Sequence, residues 1–164
     1  MDEKSEREAQ NLTILKDLGC SFALIPMSEN MLSHSIIDAI TSLRQILIDG
    51  HIHNFETQEC GPEFRVQIST VFLAYKQLEL GLSTLYRATK RGDCRIWFGP
   101  FTRKYAAPND KLAIFAKDNK IYLLNLSQYS IKRAMKSDFI NPIKDFLNYY
   151  NFPSGSCAAD AALS

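Results

Sequence analysis

Glu63-Phe-Arg-Val-Gln-Ile-Ser-Thr-Val-Phe-Leu-Ala-Tyr-Lys-Gln-Leu-Glu-Leu-Gly-Leu-Ser-Thr-Leu85 is the stretch on which the fold turns. Its first part, Glu63 to Thr70, alternates so that Phe64, Val66 and Ile68 share one side, which predicts a strand. From Val71 onward Val71, Tyr75, Leu78, Leu82 and Leu85 recur at steps of three or four. That spacing predicts a helix of about four turns ending near Gly92. Upstream, Ser5-x-x-Glu8 reads as a capping box, and Ala9, Leu12, Leu15 and Leu18 continue a first helix to Gly19. A strand follows over Ser21 to Ile25, stopped by Pro26, and Ser28-Glu29-Asn30 marks a turn. Leu32, Ile36, Ile40, Leu43 and Leu47 predict a second helix ending before Asp49-Gly50, although Ile36-Ile37 and Ile46-Leu47-Ile48 also suit strands.

Downstream, Cys94 to Phe98, Phe101 to Tyr105, Leu112 to Lys117 and Lys120 to Asn125 read as strands. The last two are joined by Asp118-Asn119, a pair suited to the positive φ of a tight hairpin. Ser127 caps a helical segment through Met135, and Asn141-Pro142 opens another through Tyr150. Residues 1–152 form a single domain on this reading, and 153–164, with Pro153-Ser-Gly-Ser and an Ala-rich end, a flexible C-terminal tail.

The chain has 164 residues, 46% hydrophobic and 23% charged, which fits one ordinary globular domain and excludes disordered or collagen-like classes. No run approaches the roughly 18 apolar residues of a membrane helix, and the first residues lack a signal-peptide pattern. Cys20, Cys60, Cys94 and Cys157 form no C-x-x-C pair, so neither a zinc ribbon nor a dense disulfide scaffold is indicated. A cytoplasmic protein without a membrane partner is expected. The formal net charge of +1 hides an asymmetry: residues 1–64 carry −7 and residues 65–164 carry +8. A positive surface for a polyanion is compatible with that distribution.

The richest stretch runs from Tyr86 to Tyr105. Arg87, Lys90, Arg91, Arg95, Arg103 and Lys104 interleave there with Tyr86, Trp97, Phe98, Phe101 and Tyr105 against the single acid Asp93. Cations neutralise phosphates and aromatic faces stack on bases, so the mixture suits a nucleic-acid surface. Strands with aromatics inside and charges solvated outside explain the same letters. The basic bias continues into Lys111, Lys117, Lys132, Arg133 and Lys136. Separately, Asp49-x-His51-x-His53 would place three side chains on one face of an extended strand, with Glu56, Glu59 and Cys60 behind. A polar strand face or turn explains the same letters and is the preferred reading. His34 reads as a surface or cap residue. Gly-rich phosphate cradles, G-x-S-x-G and H-E-x-x-H are absent from the sequence.

Two segments together carry a resemblance. Ser5-Glu-Arg-Glu-Ala-Gln-Asn-Leu-Thr-Ile-Leu-Lys-Asp-Leu-Gly19 with Ile25-Pro-Met-Ser-Glu-Asn30 resembles the start of PD-(D/E)XK endonucleases related to homing endonucleases of group I introns. Lys104-Tyr-Ala-Ala-Pro-Asn-Asp-Lys-Leu-Ala-Ile-Phe-Ala-Lys117 with Lys120-Ile-Tyr-Leu-Leu-Asn-Leu126 is similar to that family's closing strand pair. Between them, Phe64-Arg-Val-Gln-Ile-Ser-Thr70 looks like its R-V-Q-V-K-T strand. The matched pieces cover about a third of the chain.

The resemblance implies an α/β fold, a mixed β-sheet flanked by helices with a PD-(D/E)XK nuclease-like core. It also implies a magnesium ion that polarises phosphate and water for phosphodiester hydrolysis. Gln67 matches the family glutamine, but Ser69 stands at the lysine position, and Lys76 is the nearby substitute. The family acid falls near His34-Ser35; Asp49 replaces it first and Asp38 second, with Glu63 beside Gln67. The expected catalytic set is therefore Asp49, Glu63, Gln67 and Lys76, with Asp49 and Glu63 on Mg2+. The expected DNA contacts are Arg87, Lys90, Arg91, Arg95, Trp97, Arg103 and Lys104. DNA is the expected partner, and a palindromic target would imply a homo-oligomer by symmetry. The alternative is a non-catalytic protein-interaction module whose acidic and basic faces complement protein partners.

Overall fold

The computed structural model describes residues 2–151; the tail read at 153–164, with Cys157, lies outside them. Its strands are β1 (Ala23–Pro26), β2 (Ile36–Asp38), β3 (Val66–Ala74), β4 (Gln77–Arg87), β5 (Cys94–Trp97), β6 (Lys111–Lys117) and β7 (Lys120–Asn125). Its helices are α1 (Glu3–Asp17), α2 (Glu29–His34), α3 (Thr41–Asp49), α4 (Phe101–Tyr105), α5 (Ile131–Lys136) and α6 (Pro142–Asn151). The strands form one mixed sheet in the order β1-β6-β7-β3-β4-β5-β2, with β3 parallel to β7 and every other pairing antiparallel. The fold is thus α/β, a mixed sheet with helices.

The stretch quoted first holds the largest correction. Val71 to Leu85 is not a helix: β3 continues to Ala74, turns at Tyr75-Lys76 and returns as β4, pairing Val66 with Leu85 and Ala74 with Gln77. Leu78, Leu80 and Leu82 recur every second residue, while Gly81, Ser83 and Thr84 weaken a helix interior. Three further readings change. The helix read over 31–48 is broken at Ser35, whose φ of 55° is left-handed, and β2 separates α2 from α3. Phe101 to Tyr105 is the short helix α4 rather than a strand. The caps are also displaced: Asp2, not Ser5, accepts from the Ser5 N–H at 2.7 Å, and Ser130, not Ser127, caps α5. The Asp118-Asn119 hairpin forms as expected, with φ values of 54° and 63°.

Cross-strand partners share a face of the sheet, so register and burial define two surfaces. The first face is buried across all seven strands, with Ile25, Ile37, Phe72, Leu85, Ile96, Ile114 and Leu123 packed against Leu43 and Leu47 of α3. On the second face Val71, Leu73, Ala113, Phe115 and Leu124 lie under Leu15 of α1, Ile131 and Ala134 of α5, and Ile143 and Leu147 of α6. That cover stops at β3. Over β4, Leu78, Leu80 and Leu82 are left 47%, 71% and 51% exposed.

Two polar clusters fix α1 and the 126–131 loop. Asn11 donates from Nδ2 to the carbonyls of Leu126 (2.7 Å) and Tyr129 (2.8 Å), and its Oδ1 accepts from the Ile131 N–H at 2.9 Å. Asp110, fully buried, is paired with Lys4 Nζ at 2.8 Å and accepts from the Ala107 N–H, Asn125 and Gln128. Burial alone would raise the Asp110 pKa, but Lys4 and these donors outweigh it and hold the carboxyl below its ordinary value. Because the folded value is the lower one, the unfolded chain binds more protons in between. The stabilisation is therefore complete above the unfolded value of about 3.9 and is lost as pH falls through the folded one. Urea midpoints should stay nearly level from pH 7 to about pH 5 for the native chain and fall steeply below about pH 4. Asp110→Asn should start lower at pH 7 and fall less.

Candidate nucleic-acid interface

The cations expected to contact DNA are divided by the sheet and partly neutralised. Arg95 and Trp97 sit on the second face, since they pair with Tyr86 and Thr84. Arg87 pairs with Cys94 towards the first face and donates to the Gly92 and Gln58 carbonyls. Arg95 lies 3.6 Å from Asp38 and 3.2 Å from Asp93, which Arg91 also meets at 3.1 Å. Lys104 on α4 meets Glu79 at 3.1 Å, and the Tyr105 hydroxyl followed by this ammonium keeps Glu79 below its ordinary pKa. Lys90 and Arg91 are exposed in the β4–β5 turn, at the opposite end of β4 from Arg103 and Lys104. Arg87 to Lys104 therefore do not share one face.

Cations without partners converge elsewhere. A cleft of about 920 Å³ opens between α5 and the β3–β4 turn, and Lys76, Lys132, Arg133 and Lys136 line it against a single acid, Asp138. None of the four makes an ion pair among the described residues. Tyr75, with Lys76 Nζ 5.8 Å from its ring centre, and the exposed Phe139 and Ile140 supply apolar walls. Ser130 starts α5 by accepting the Arg133 N–H at 3.1 Å, and Asn11 holds Ile131, so the basic helix is anchored from behind. Phe139 and Ile140 carried no signal in the sequence beyond two apolar letters between Asp138 and Asn141.

The expected catalytic set is not brought together. Gln67 is on the second face, whereas Asp49 ends α3, which covers the first, and its carboxylate accepts from Gln45 at 2.8 Å. Glu63 lies in the turn Pro62–Phe64 at the same end of β3 as Gln67. Lys76 lies in the turn beyond Ala74, roughly 25 Å along the strand from Gln67 at about 3.4 Å per residue. Among the described residues no group of three or more His, Cys, Asp or Glu could hold a metal ion. Asp49-x-His51-x-His53 is no strand face either. His51 is left-handed at φ 55°, and His53 Nε2 is engaged by Gln58 Oε1 at 2.9 Å. His34 ends α2 with Nδ1 3.0 Å from the Asn30 carbonyl, a cap position.

Among the described residues no helix is long and apolar enough to cross a membrane. No protein-family model, curated protein or solved structure matches the chain.

Proposed function

We propose that this chain binds DNA through the cleft between α5 and the β3–β4 turn, and that it binds without cutting. The observation that carries the reading is the convergence of Lys76, Lys132, Arg133 and Lys136 on one groove with no ion pair among the described residues. Four unpaired cations attract a polyanion because each phosphate contact releases condensed counterions. Descent from a PD-(D/E)XK nuclease is consistent with the Phe64 to Thr70 strand. Cleavage is not part of the proposal, since Lys76 and Asp49 are separated from Gln67, and Ser69 cannot supply the missing positive charge.

The test is binding to a labelled duplex across a salt series with calcium present. Four contacts predict that log affinity falls against log salt with a slope of about −3.6, at roughly −0.9 per phosphate. No binding at low salt overturns the reading. A protein partner is the second reading, favoured by the outward-facing Leu78, Leu80 and Leu82. It predicts no binding to the duplex.

A further inference from the structure

We infer that the open half of the sheet carries a stacking site for an unpaired base, formed by Trp97 and Tyr86 with Arg65 and Gln67 at its polar edge. The inference rests on the DNA reading above and names the form of DNA: a single strand, or a duplex opened locally. A hollow of about 580 Å³ on the second face is lined by Ile36, Arg65, Gln67, Thr84, Tyr86 and Trp97. Among the described residues no carboxylate lines it, and Asp38, on the same face in the row of Tyr86, is met by Arg95 at 3.6 Å.

Register shows how the hollow is built. Ile36, Trp97, Thr84 and Gln67 form one row across β2, β5, β4 and β3, and Tyr86 stands in the next row on the same face. Trp97 and Tyr86 are thus diagonal neighbours across β5 and β4, about 7–8 Å apart along the backbone. That spacing leaves room for one planar ring against either aromatic face. The Gln67 amide and the Arg65 guanidinium make no hydrogen bond or ion pair with other described residues, and Trp97 is 43% exposed. A side-chain amide offers a donor and an acceptor to a base edge, and a guanidinium takes a phosphate or a base carbonyl.

Continuity with the cationic cleft argues for one occupant across both. The cleft begins at Lys76 and the hollow lies at Thr84 and Tyr86, roughly 27 Å away along β4. Between them on the same face stand the exposed Leu78, Leu80 and Leu82, a floor without charge. A single strand whose phosphates meet the cleft can lay its bases along that floor to Trp97. A closed duplex cannot, because its bases are already stacked and paired.

Trp97 is the only tryptophan of the chain, so its emission reports this site alone. The full chain is titrated with a labelled oligothymidylate and with a labelled duplex of equal length, following label anisotropy and tryptophan emission together. The expected result is saturable quenching by the single strand and little by the duplex. Trp97→Leu should lose roughly tenfold in single-strand affinity while keeping its salt slope, since base stacking is sequence-tolerant and uncharged. Gln67→Ala, at an exposed position, should weaken binding without removing the quenching. Binding by anisotropy with unchanged tryptophan emission overturns the stacking site and leaves the cleft standing. Equal quenching by the duplex overturns the preference for unpaired bases. No binding of either probe overturns the cleft reading and this one with it.

Discussion

Alanine at Lys132, Arg133 and Lys136 together should flatten the salt dependence of DNA binding from a slope of about −3.6 to about −0.9, the share left to Lys76. At the steeper slope a fourfold rise in salt costs about 150-fold in affinity; at the shallower one it costs about 3.5-fold. The three side chains are exposed and make no ion pair among the described residues, so their removal should leave stability within about 0.5 kcal/mol. Fold loss therefore cannot imitate the effect. The control is alanine at Arg91 and Lys104, which removes two positive charges of the stretch richest in them. Asp93 and Glu79 already neutralise those cations at 3.1 Å. Their loss should leave the slope almost unchanged, measured by anisotropy over the same salt series. A control variant that carried the slope would move the contact surface to the β4–β5 turn and α4.

That contrast also marks how far the sequence reaches. Charge along a sequence is additive, whereas charge on a surface is what remains after pairing. Between Tyr86 and Tyr105 alternation sends Arg87 and Arg95 to opposite faces, and the acids that quench Arg95 and Lys104 include Asp38 and Glu79, outside that stretch. No spacing rule sees those partners. On α5 the three cations survive because the helix is short, its buried side is set by Ile131 and Ala134, and no acid shares its turn.

The fold was legible where local chemistry decides it. Leu12 and Leu15 mark α1, Asp118-Asn119 the β6–β7 hairpin, and Asn141-Pro142 the start of α6. It was not legible in β4, and the reason is physical. Leu78, Leu80 and Leu82 alternate as a strand should, yet they point outward, while Glu79, Gly81 and Ser83 point toward the buried face. Ser83 is satisfied there by the Thr70 hydroxyl at 2.6 Å, and Glu79 by Lys104 and Tyr105. A strand with its apolar side exposed imitates a helix stripe, since Leu78, Leu82 and Leu85 also recur at steps of three and four. The same inversion leaves the open face on which the proposed strand of DNA lies.

Asn11→Ala should cost about 3–5 kcal/mol of stability, more than any cleft substitution, although it removes no charge and touches no ligand. The Asn11 amide bridges three backbone groups on the loop that delivers α5, the carbonyls of Leu126 and Tyr129 and the N–H of Ile131, and only 1% of it is exposed. Alanine strands two acceptors and a donor in a region that water reaches poorly, at about 1–3 kcal/mol for each group left unsatisfied. Against a domain stability of about 5–15 kcal/mol, that is a large fraction. The urea midpoint should drop with the m-value unchanged, because the folded and unfolded surfaces stay the same size. Asn11→Asp should cost at least as much as alanine at pH 7, since its carboxylate still accepts from Ile131 but is buried against the Leu126 and Tyr129 carbonyl oxygens. Loosening this loop also frees the start of α5. In mild urea the alanine variant should then lose DNA affinity in step with its unfolding, whereas the cleft variant loses affinity while fully folded. A cost below about 1 kcal/mol would mean that the 126–131 loop is held by packing of Leu126 and Ile131 alone.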